Sequence, residues 1–211
     1  MTPTDATGWT PPARTGALIF DCDGTLADTM PIHYKAWGRI LAPLGIPFDR
    51  KRFYELGGMP TAQILRLLSG EIGVPVADAE IGDLVERKEA IFLSMLGEVE
   101  PLAGIVGIAA RHRGALPMAV ASGGYRAIVR QTLDAIGVLD WFGATVCAED
   151  TARHKPEPDV FLEAARRLGG IPPEACVVFE DTDIGLEAAR RAGMRGVDVR
   201  PWVPARAGEG G

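Results

Sequence analysis

Beyond residue 101 the chain alternates short apolar runs with stretches of helical periodicity. The runs at residues 116–121, 145–148, 176–179 and 196–199 are typical of strands. The stretches between them carry apolar residues at steps of three and four, and the last of these ends at Gly193, which suits a left-handed helix cap. Strands that alternate with helices form βαβ units. The pattern therefore predicts an α/β fold built on a parallel sheet.

Residues 29–100 follow a different pattern, because β-branched runs disappear and helical periodicity takes over. Apolar stripes occupy residues 32–44, 64–68 and 81–95, and the last is unbroken except for Lys88. A short apolar run at residues 18–20 precedes this region. We therefore predict a helical insert between the first strand and the rest of the sheet.

The predicted boundaries follow these changes of pattern. Residues 16–28 and 101–203 form the core, and residues 29–100 form an inserted helical cap. Residues 1–15 are rich in Thr and Pro and lack the apolar run of a secretory signal, so we predict a disordered leader. Residues 204–211 are predicted to be a disordered tail.

Composition excludes several classes of function. No uncharged stretch approaches the roughly 18 apolar residues that a membrane span needs. The net charge is −6, and arginine doublets are scattered among acids, which argues against nucleic acid as a partner. Cys22, Cys147 and Cys176 form no Cys-x-x-Cys pair, so we expect reduced core thiols in a cytoplasmic protein. Nothing apolar and repetitive demands a second chain, and we expect a monomer.

Two carboxylates, Asp21 and Asp23, follow the first apolar run directly, and Gly24 comes next. Like charges this close repel each other and resist burial, so such a pair is usually kept where a cation neutralises it or where chemistry uses it. Gly24 lets the backbone turn sharply after the pair. The motif indicates metal-assisted chemistry, although Asp-x-Asp-Gly is also common at turns.

Polar residues follow the other predicted strands as well. Ser122 follows the second, Lys155 lies after the third, and Glu180 and Asp181 end the fourth. Ligands of open parallel sheets bind at the carboxyl ends of the strands, so these groups are expected to converge. Three or more carboxylates, one hydroxyl and one amine suit a divalent cation held together with a phosphoryl group.

The expected chemistry is phosphoryl transfer. Asp21 would attack phosphorus to form an aspartyl phosphate, while Mg²⁺ bound by Asp21, Asp23 and Asp181 neutralises the repulsion between anions. Asp23 would protonate the leaving oxygen and later take a proton from water. Ser122, with the amides of Gly123 and Gly124, would bind the phosphoryl oxygens.

Lys155 would supply a point charge to the same phosphoryl group. Each piece also has a purely structural explanation. Ser122 and its glycines suit a turn, Lys155 suits a solvated loop, and Glu180 with Asp181 suits a helix N-terminus. What favours the catalytic hypothesis is their shared order and strand-end placement.

Lys88 and His33 are ambiguous. Lys88 occupies a core-facing step of a helical stripe, where its stem can pack while the ammonium reaches solvent or an acid. The alternative is that this face of the helix borders the cleft and that Lys88 meets the substrate. His33 lies in the first helix of the insert and suits a surface or hinge position.

With these motifs assembled, the chain resembles the haloacid dehalogenase superfamily, in the subgroup with an α-helical cap that includes β-phosphoglucomutase and sugar-phosphate phosphatases. The resemblance covers about residues 16–202, and its four motifs lie at residues 21–25, 120–123, 155–159 and 179–185. It implies a Rossmann-like core under a mobile helical cap.

The resemblance also implies roles for individual residues. Asp21 would be the nucleophile, Asp23 the acid and base, and Ser122 and Lys155 the phosphoryl ligands. Mg²⁺ would be bound by Asp21, the Asp23 backbone carbonyl and Asp181, with Glu180 reaching it directly or through water. Dehalogenases of the superfamily lack the second aspartate and need no metal, so its presence indicates phosphate chemistry.

The cap decides between mutase and phosphatase. β-Phosphoglucomutase grips its second phosphate with a lysine and an arginine of a cap loop, whereas Gly57 and Thr61 stand at those places here. Lys88 matches a cap lysine of the family. With Gly123, Gly124, Thr61 and His33, it is our candidate for binding substrate.

The loop sequence around Thr61 resembles that of fructose-1-phosphatase-type members. We therefore predict a Mg²⁺-dependent phosphatase acting on a small phosphorylated substrate, a sugar monophosphate such as fructose 1-phosphate. The alternatives are a phosphomutase with a rearranged clamp and a non-catalytic ligand-binding module on the same fold.

Overall fold

A computed structural model describes residues 6–73 and 76–203. Its centre is a five-stranded sheet whose strand order is β3-β2-β1-β4-β5, with every neighbouring pair parallel. The strands are β1 (Ala17–Phe20), β2 (Met118–Ala121), β3 (Ala144–Val146), β4 (Cys176–Glu180) and β5 (Arg195–Asp198). The predicted α/β fold with a parallel sheet is confirmed. The predicted tail, residues 204–211, lies outside the described residues.

Strand β1 is the middle of the sheet, and its register aligns the functional strand ends. Phe20 lies opposite Val120 on one side and Phe179 on the other. All four residues of β1 are fully buried, as expected of a parallel strand covered on both faces. The residues that follow β1, β2 and β4 therefore emerge at the same edge.

Helices cover both faces of the sheet. They are α5 (Ala103–His112), α6 (Arg126–Ala135), α7 (Asp159–Arg167) and α8 (Asp183–Arg191). Leu18 and Phe20 pack in one apolar cluster with α5 and α6, whereas Ala17 and Ile19 pack in another with α7 and α8. Alternate residues of one strand thus stabilise opposite layers, the arrangement of a doubly wound sheet.

Gly193 ends α8 as the sequence predicts. Its φ is 73°, in the left-handed region. The Gly193 N–H donates to the Arg190 carbonyl at 3.1 Å, and the Met194 N–H donates to the Ala189 carbonyl at 2.9 Å. These two bonds form a Schellman motif, which satisfies carbonyls at the end of the helix.

In the described part of the chain, four α-helices lie between β1 and α5: α1 (Met30–Leu41), α2 (Arg50–Glu55), α3 (Thr61–Glu71) and α4 (Asp78–Leu93). We call them the cap helices. They share an apolar cluster of their own, with Trp37, Phe53 and Leu65 among its members. A smaller cluster joins Ile32 and Phe92 of the cap helices to Ile128 of α6. The boundaries of the cap at residues 29 and 100 stay a prediction.

The N-terminal segment differs from the disordered leader expected over residues 1–15. Residues 1–5 lie outside the described part, but Ala6–Gly8 form a 3₁₀ turn and Trp9 is buried. The Trp9 ring packs edge-on against Phe179 with centroids 4.9 Å apart, and Arg111 donates to the Ala6 carbonyl at 3.0 Å. Burial of one large aromatic ring fixes a segment whose composition otherwise suggests a loose chain.

The three cysteines are free and buried, as predicted. Within residues 6–73 and 76–203, none of the helices combines the length and apolar character needed to cross a bilayer.

Candidate active site

The predicted site residues meet at the carboxyl edge of the sheet. Asp21 follows β1, Ser122 follows β2 and Glu180 ends β4, while Lys155 reaches them from the loop between β3 and α7. The Lys155 Nζ donates to Asp21 Oδ1 at 2.6 Å and to Glu180 Oε1 at 2.5 Å. All three side chains are almost completely buried. The solvated-loop explanation of Lys155 is therefore wrong.

Glu180 has a structural task in addition to the metal contact, direct or through water, that is predicted for it. Its Oε1 accepts from Lys155, and its Oε2 accepts from the Thr182 N–H at 2.8 Å and the Thr182 hydroxyl at 2.9 Å. A Cβ at Gly185 would come within 2.0 Å of this carboxylate, so glycine is needed there. Because both oxygens are engaged and buried, Glu180 fixes Lys155 and the start of α8.

Burial and charge act in opposite directions on the Asp21–Lys155 pair. Burial raises the pKa of Asp21 well above its usual value, and the carboxylates of Glu180 and Asp181 add to the rise, while Lys155 opposes it. Burial would lower the pKa of Lys155, but Asp21 and Glu180 outweigh it and raise that pKa. Lys155 is thus held as a cation among several carboxylates.

Asp181 lies beside the turn that follows β1. The Thr25 hydroxyl donates to Asp181 Oδ1 at 3.2 Å, and a Cβ at Gly24 would lie 2.0 Å from Asp181 Oδ2. Gly24 also has a φ of 82°, so both its backbone and its surroundings require glycine.

The donor set fits Mg²⁺ in part. Within the described residues, no three side chains of His, Cys, Asp or Glu form a group that holds a metal ion by themselves. Asp21 and Asp181 supply carboxylate oxygens, and the charge of Asp181 raises the pKa of Asp21. The Asp23 carbonyl is the remaining predicted ligand. Hard oxygen ligands supplemented by water are what Mg²⁺ prefers. These oxygens fit such an ion.

Asp23 is held by two hydrogen bonds to one oxygen. Its Oδ1 accepts from the Thr29 hydroxyl at 2.7 Å and lies 3.2 Å from His33 Nε2. Burial raises the pKa of Asp23, but His33, Thr29 and the charge of Lys88 outweigh it and lower that pKa to about 2. In this arrangement Asp23 is a carboxylate.

His33 connects Asp23 to the cap helices. Lys88 Nζ lies 2.9 Å from His33 Nδ1, and because an ammonium can only donate, Nδ1 accepts and Nε2 carries the proton. Burial and the charge of Lys88 lower the pKa of His33, which favours this neutral form. Lys88 borders the cavity, as the cleft-facing hypothesis expects, and its contact with substrate stays a prediction. Its ammonium is nevertheless engaged by His33 and Glu89.

The segment after β2 differs in detail from the predicted phosphoryl cradle. Helix α6 begins at Arg126, whose N–H donates to the Glu149 carboxylate at 3.0 Å. The Gly124 N–H donates to Ser122 Oγ at 3.0 Å. Ser122, Gly123 and Gly124 border the cavity. The amides of Gly124 and Arg126, however, already donate to acceptors within the protein.

The cap helices close over the strand ends. A Cβ at Gly123 would lie 2.1 Å from the Gly58 carbonyl oxygen, so the two backbones touch where only glycine fits. The cavity left beneath is bordered on the core side by Asp21, Asp23, Ser122, Gly123, Gly124, Tyr125 and Ile128, and on the cap side by Met30, His33, Trp37, Phe53, Leu56, Gly57, Gly58, Met59, Thr61, Ile64, Lys88 and Glu89.

Among the polar residues of this site that were not predicted from the sequence are Thr29, Glu89 and Tyr125. Glu89 Oε1 accepts from the Thr61 hydroxyl at 2.7 Å, and a main-chain hydrogen bond of Ala62 reaches the Tyr125 hydroxyl. A signal for Glu89 existed, since it stands next to the one charged residue of an apolar stripe. The other two have no signal in local spacing.

The chain matches a protein family over most of its length. Residues 15–193 fit the haloacid dehalogenase-like hydrolases. The chain belongs to this family. The family expected from the four motifs is therefore confirmed, and with it the Rossmann-like class of the core.

Two relatives of this hydrolase are named for different activities. It is 42% identical over 188 residues to "Fructose-1-phosphate phosphatase YqaB" of Escherichia coli, covering 89% of this chain and 97% of that protein. It is 32% identical over 194 residues to "Beta-phosphoglucomutase" of Bacillus subtilis, covering 89% and 84%. The structure of β-phosphoglucomutase from Clostridium difficile superposes with a TM-score of 0.80 at 27% identity, covering 87% of this chain and 83% of that one.

Proposed function

We propose that this hydrolase is a Mg²⁺-dependent phosphatase that acts on a sugar monophosphate such as fructose 1-phosphate, through an aspartyl-phosphate intermediate. The observation that carries the proposal is the position of Asp21, which is buried at the central strand end with Lys155 at 2.6 Å and Asp23 bordering the same cavity. A nucleophile, a fixed cation and a second carboxylate are the groups that the reaction needs.

In the first step an oxygen of Asp21 attacks phosphorus, the ester P–O bond breaks, and Asp23 gives its proton to the leaving alcohol. In the second step water attacks the acyl phosphate, Asp23 takes the proton of that water, and inorganic phosphate leaves with Asp21 restored. Lys155 stays between Asp21 and Glu180 and offers positive charge to the phosphoryl oxygens.

Asp23 needs different protonation states in the two steps. The hydrogen bonds from Thr29 and His33 favour its carboxylate, which is the form that accepts a proton from water. A phosphate dianion bound nearby would raise the pKa of Asp23, because like charges favour the neutral form. Substrate binding would thereby prepare the acid form that the first step uses.

Mg²⁺ would be held by Asp21, Asp181 and the Asp23 carbonyl. When bound, it would supply the positive charge that offsets the mutual repulsion of these carboxylates and the phosphate. We propose that Glu180 reaches the metal through water, since both of its oxygens already accept hydrogen bonds.

A sugar monophosphate is favoured over a sugar bisphosphate by the cap loop. Gly57 and Thr61 border the cavity and bring no cation to it. The relative with 42% identity is named a fructose-1-phosphate phosphatase. We further propose that the helices of residues 29–100 move as a cap, and we expect a monomer that works in the cytoplasm.

Phosphate release with Mg²⁺ from a panel of sugar phosphates tests the activity. Fructose 1-phosphate should be hydrolysed, and Asp21→Asn should abolish turnover while the circular-dichroism spectrum stays unchanged. Asp134→Asn, which removes the same charge from the exposed face of α6, is the matched control and should keep full activity.

Two results would overturn the proposal in favour of the alternatives. Glucose 6-phosphate that forms faster than free phosphate, from β-glucose 1-phosphate and its bisphosphate activator, would indicate a mutase. Failure to release phosphate from any ester, p-nitrophenyl phosphate included, would indicate a binding module.

A further inference from the structure

Glu89 is the acidic group on the cap side of the cavity. It lies on α4 immediately after Lys88, and its side chain is only 12% exposed. Its Oε1 accepts from Thr61 Oγ1 at 2.7 Å and from Lys88 Nζ at 3.1 Å, and Lys88 Nζ also lies 3.3 Å from Oε2. A carboxylate held in this way at the edge of the cavity is positioned to contact a bound substrate.

Its first effect is on charge. Lys88 is the cation on the cap side of the cavity lining, and Glu89 neutralises it at hydrogen-bond distance. His33 also contacts Lys88, and because its Nδ1 accepts from that ammonium, its ring carries one proton and no charge. The cap side of the cavity therefore carries no net positive charge. On the core side, Asp21 and Asp23 border the cavity, and Lys155 meets Asp21.

Its second effect is on hydrogen bonding. An ionised carboxylate only accepts hydrogen bonds, and Oε2 of Glu89 has capacity left beyond its bond from Lys88. The Thr61 hydroxyl donates to Glu89, so its own oxygen is free to accept as well. Both groups suit the hydroxyl donors of a polyol, and the carboxylate of Glu89 repels an anion.

We propose that Glu89 is a specificity-determining residue that accepts hydroxyl groups from the neutral part of the substrate and excludes phosphoesters with a second anionic group. The proposal rests on the proposed phosphatase function, and it extends the substrate class to monophosphates of neutral sugars and polyols. Lys88 serves as the partner that holds Glu89 and His33 in place.

The test compares two substrates that differ by one phosphate. The values of kcat/KM for fructose 1-phosphate and fructose 1,6-bisphosphate are measured for the wild type and for Glu89→Gln, which removes the charge and keeps the shape. The wild type should prefer the monophosphate. In Glu89→Gln that preference should fall about tenfold, because a unit charge at roughly 8 Å has at least this effect at an effective dielectric of about 20.

Two further variants separate specificity from structure. Glu89→Asp keeps the charge and should keep the preference within about threefold of wild type, since charge rather than length carries the effect. Glu86→Gln removes the same charge from an exposed position on the same helix and should leave the preference unchanged.

Several outcomes would overturn the inference. They are a wild type that uses the bisphosphate as well as the monophosphate, an unchanged preference in Glu89→Gln, an equal loss on both substrates, and an equal shift in Glu86→Gln. If wild type releases phosphate from neither sugar nor from p-nitrophenyl phosphate, the proposed function fails and this inference with it. Release with an unaltered preference overturns this inference alone.

Discussion

The contact between Gly123 and Gly58 gives a sharp prediction for Gly123→Ala. The new methyl carbon would lie 2.1 Å from the Gly58 carbonyl oxygen. Such a contact is too short to persist, so the cap loop must withdraw by about 1 Å or more, and a misplacement of that size costs about 100-fold in rate. We expect kcat/KM for the best sugar phosphate to fall by that factor.

Stability should respond very differently. The φ of Gly123 is not in the left-handed region, so alanine can adopt it. Because the methyl group lowers the conformational entropy of the unfolded chain, it should stabilise the folded protein by about 0.4–1 kcal/mol. If the cap opens to relieve the contact, the melting temperature should stay within about 3 °C of wild type. Activity falls and the fold remains.

The assay pairs phosphate release with thermal unfolding by circular dichroism. Gly82→Ala is the control, because Gly82 lies in α4 and a methyl carbon added there would meet no atom within 4 Å. It should keep activity and gain about 0.5–1 kcal/mol from better helix propensity. Wild-type kcat/KM in Gly123→Ala would show that the two backbones do not touch during turnover. A large drop in melting temperature would show that the cap cannot open to relieve the strain.

Two more predictions concern the network around the nucleophile. The pKa of Asp23 is about 2 in the folded protein and 3.8 ordinarily, so its ionised form stabilises the fold above pH 4, and this contribution is lost as the pH falls toward 2. Burial also lowers the pKa of His33 from 6.5, so stability falls as the pH drops below that value too. Thr29 and Lys88 also lower the pKa of Asp23, so His33→Ala should remove only part of the contribution of Asp23, about 1 kcal/mol at pH 7 in urea unfolding and progressively less in acid. A constant cost from pH 7 to 3 would contradict this. Gly185→Ala should displace the Glu180 carboxylate and lower stability by about 1–3 kcal/mol. It should also lower activity, because Glu180 holds Lys155 in place. An unchanged free energy of unfolding and an unchanged turnover rate in Gly185→Ala would show that the position of Glu180 is not required.

Much of the site could be predicted because it follows from a periodic feature of the fold. Strands of one parallel sheet end at a common edge, so Asp21 and Asp181 are brought together although 160 positions separate them in the chain. Gly193 was predictable for a similar reason, since a left-handed cap has a local chemical signature. Such rules act through short segments whose geometry is nearly fixed.

What could not be predicted depends on contacts between distant segments without a local rule. His33 and Lys88 are 55 positions apart, and only the packing of α1 on α4 reveals that they share a hydrogen bond. The approach of Gly58 to Gly123 likewise depends on how the cap helices settle on the sheet. Spacing shows that Glu180 is near the site, but not which donors reach its oxygens, so its bonds from Lys155 and Thr182 could not be predicted.

The hydrogen-bonded chain from Thr61 through Glu89, Lys88 and His33 to Asp23 limits how freely parts of this protein could be exchanged with those of a relative. A chimera that takes its helices from one protein and its sheet from another would cut this chain between His33 and Asp23. Such a chimera would keep the network only if the two parent proteins both carry residues that can form the hydrogen bond between positions 33 and 23.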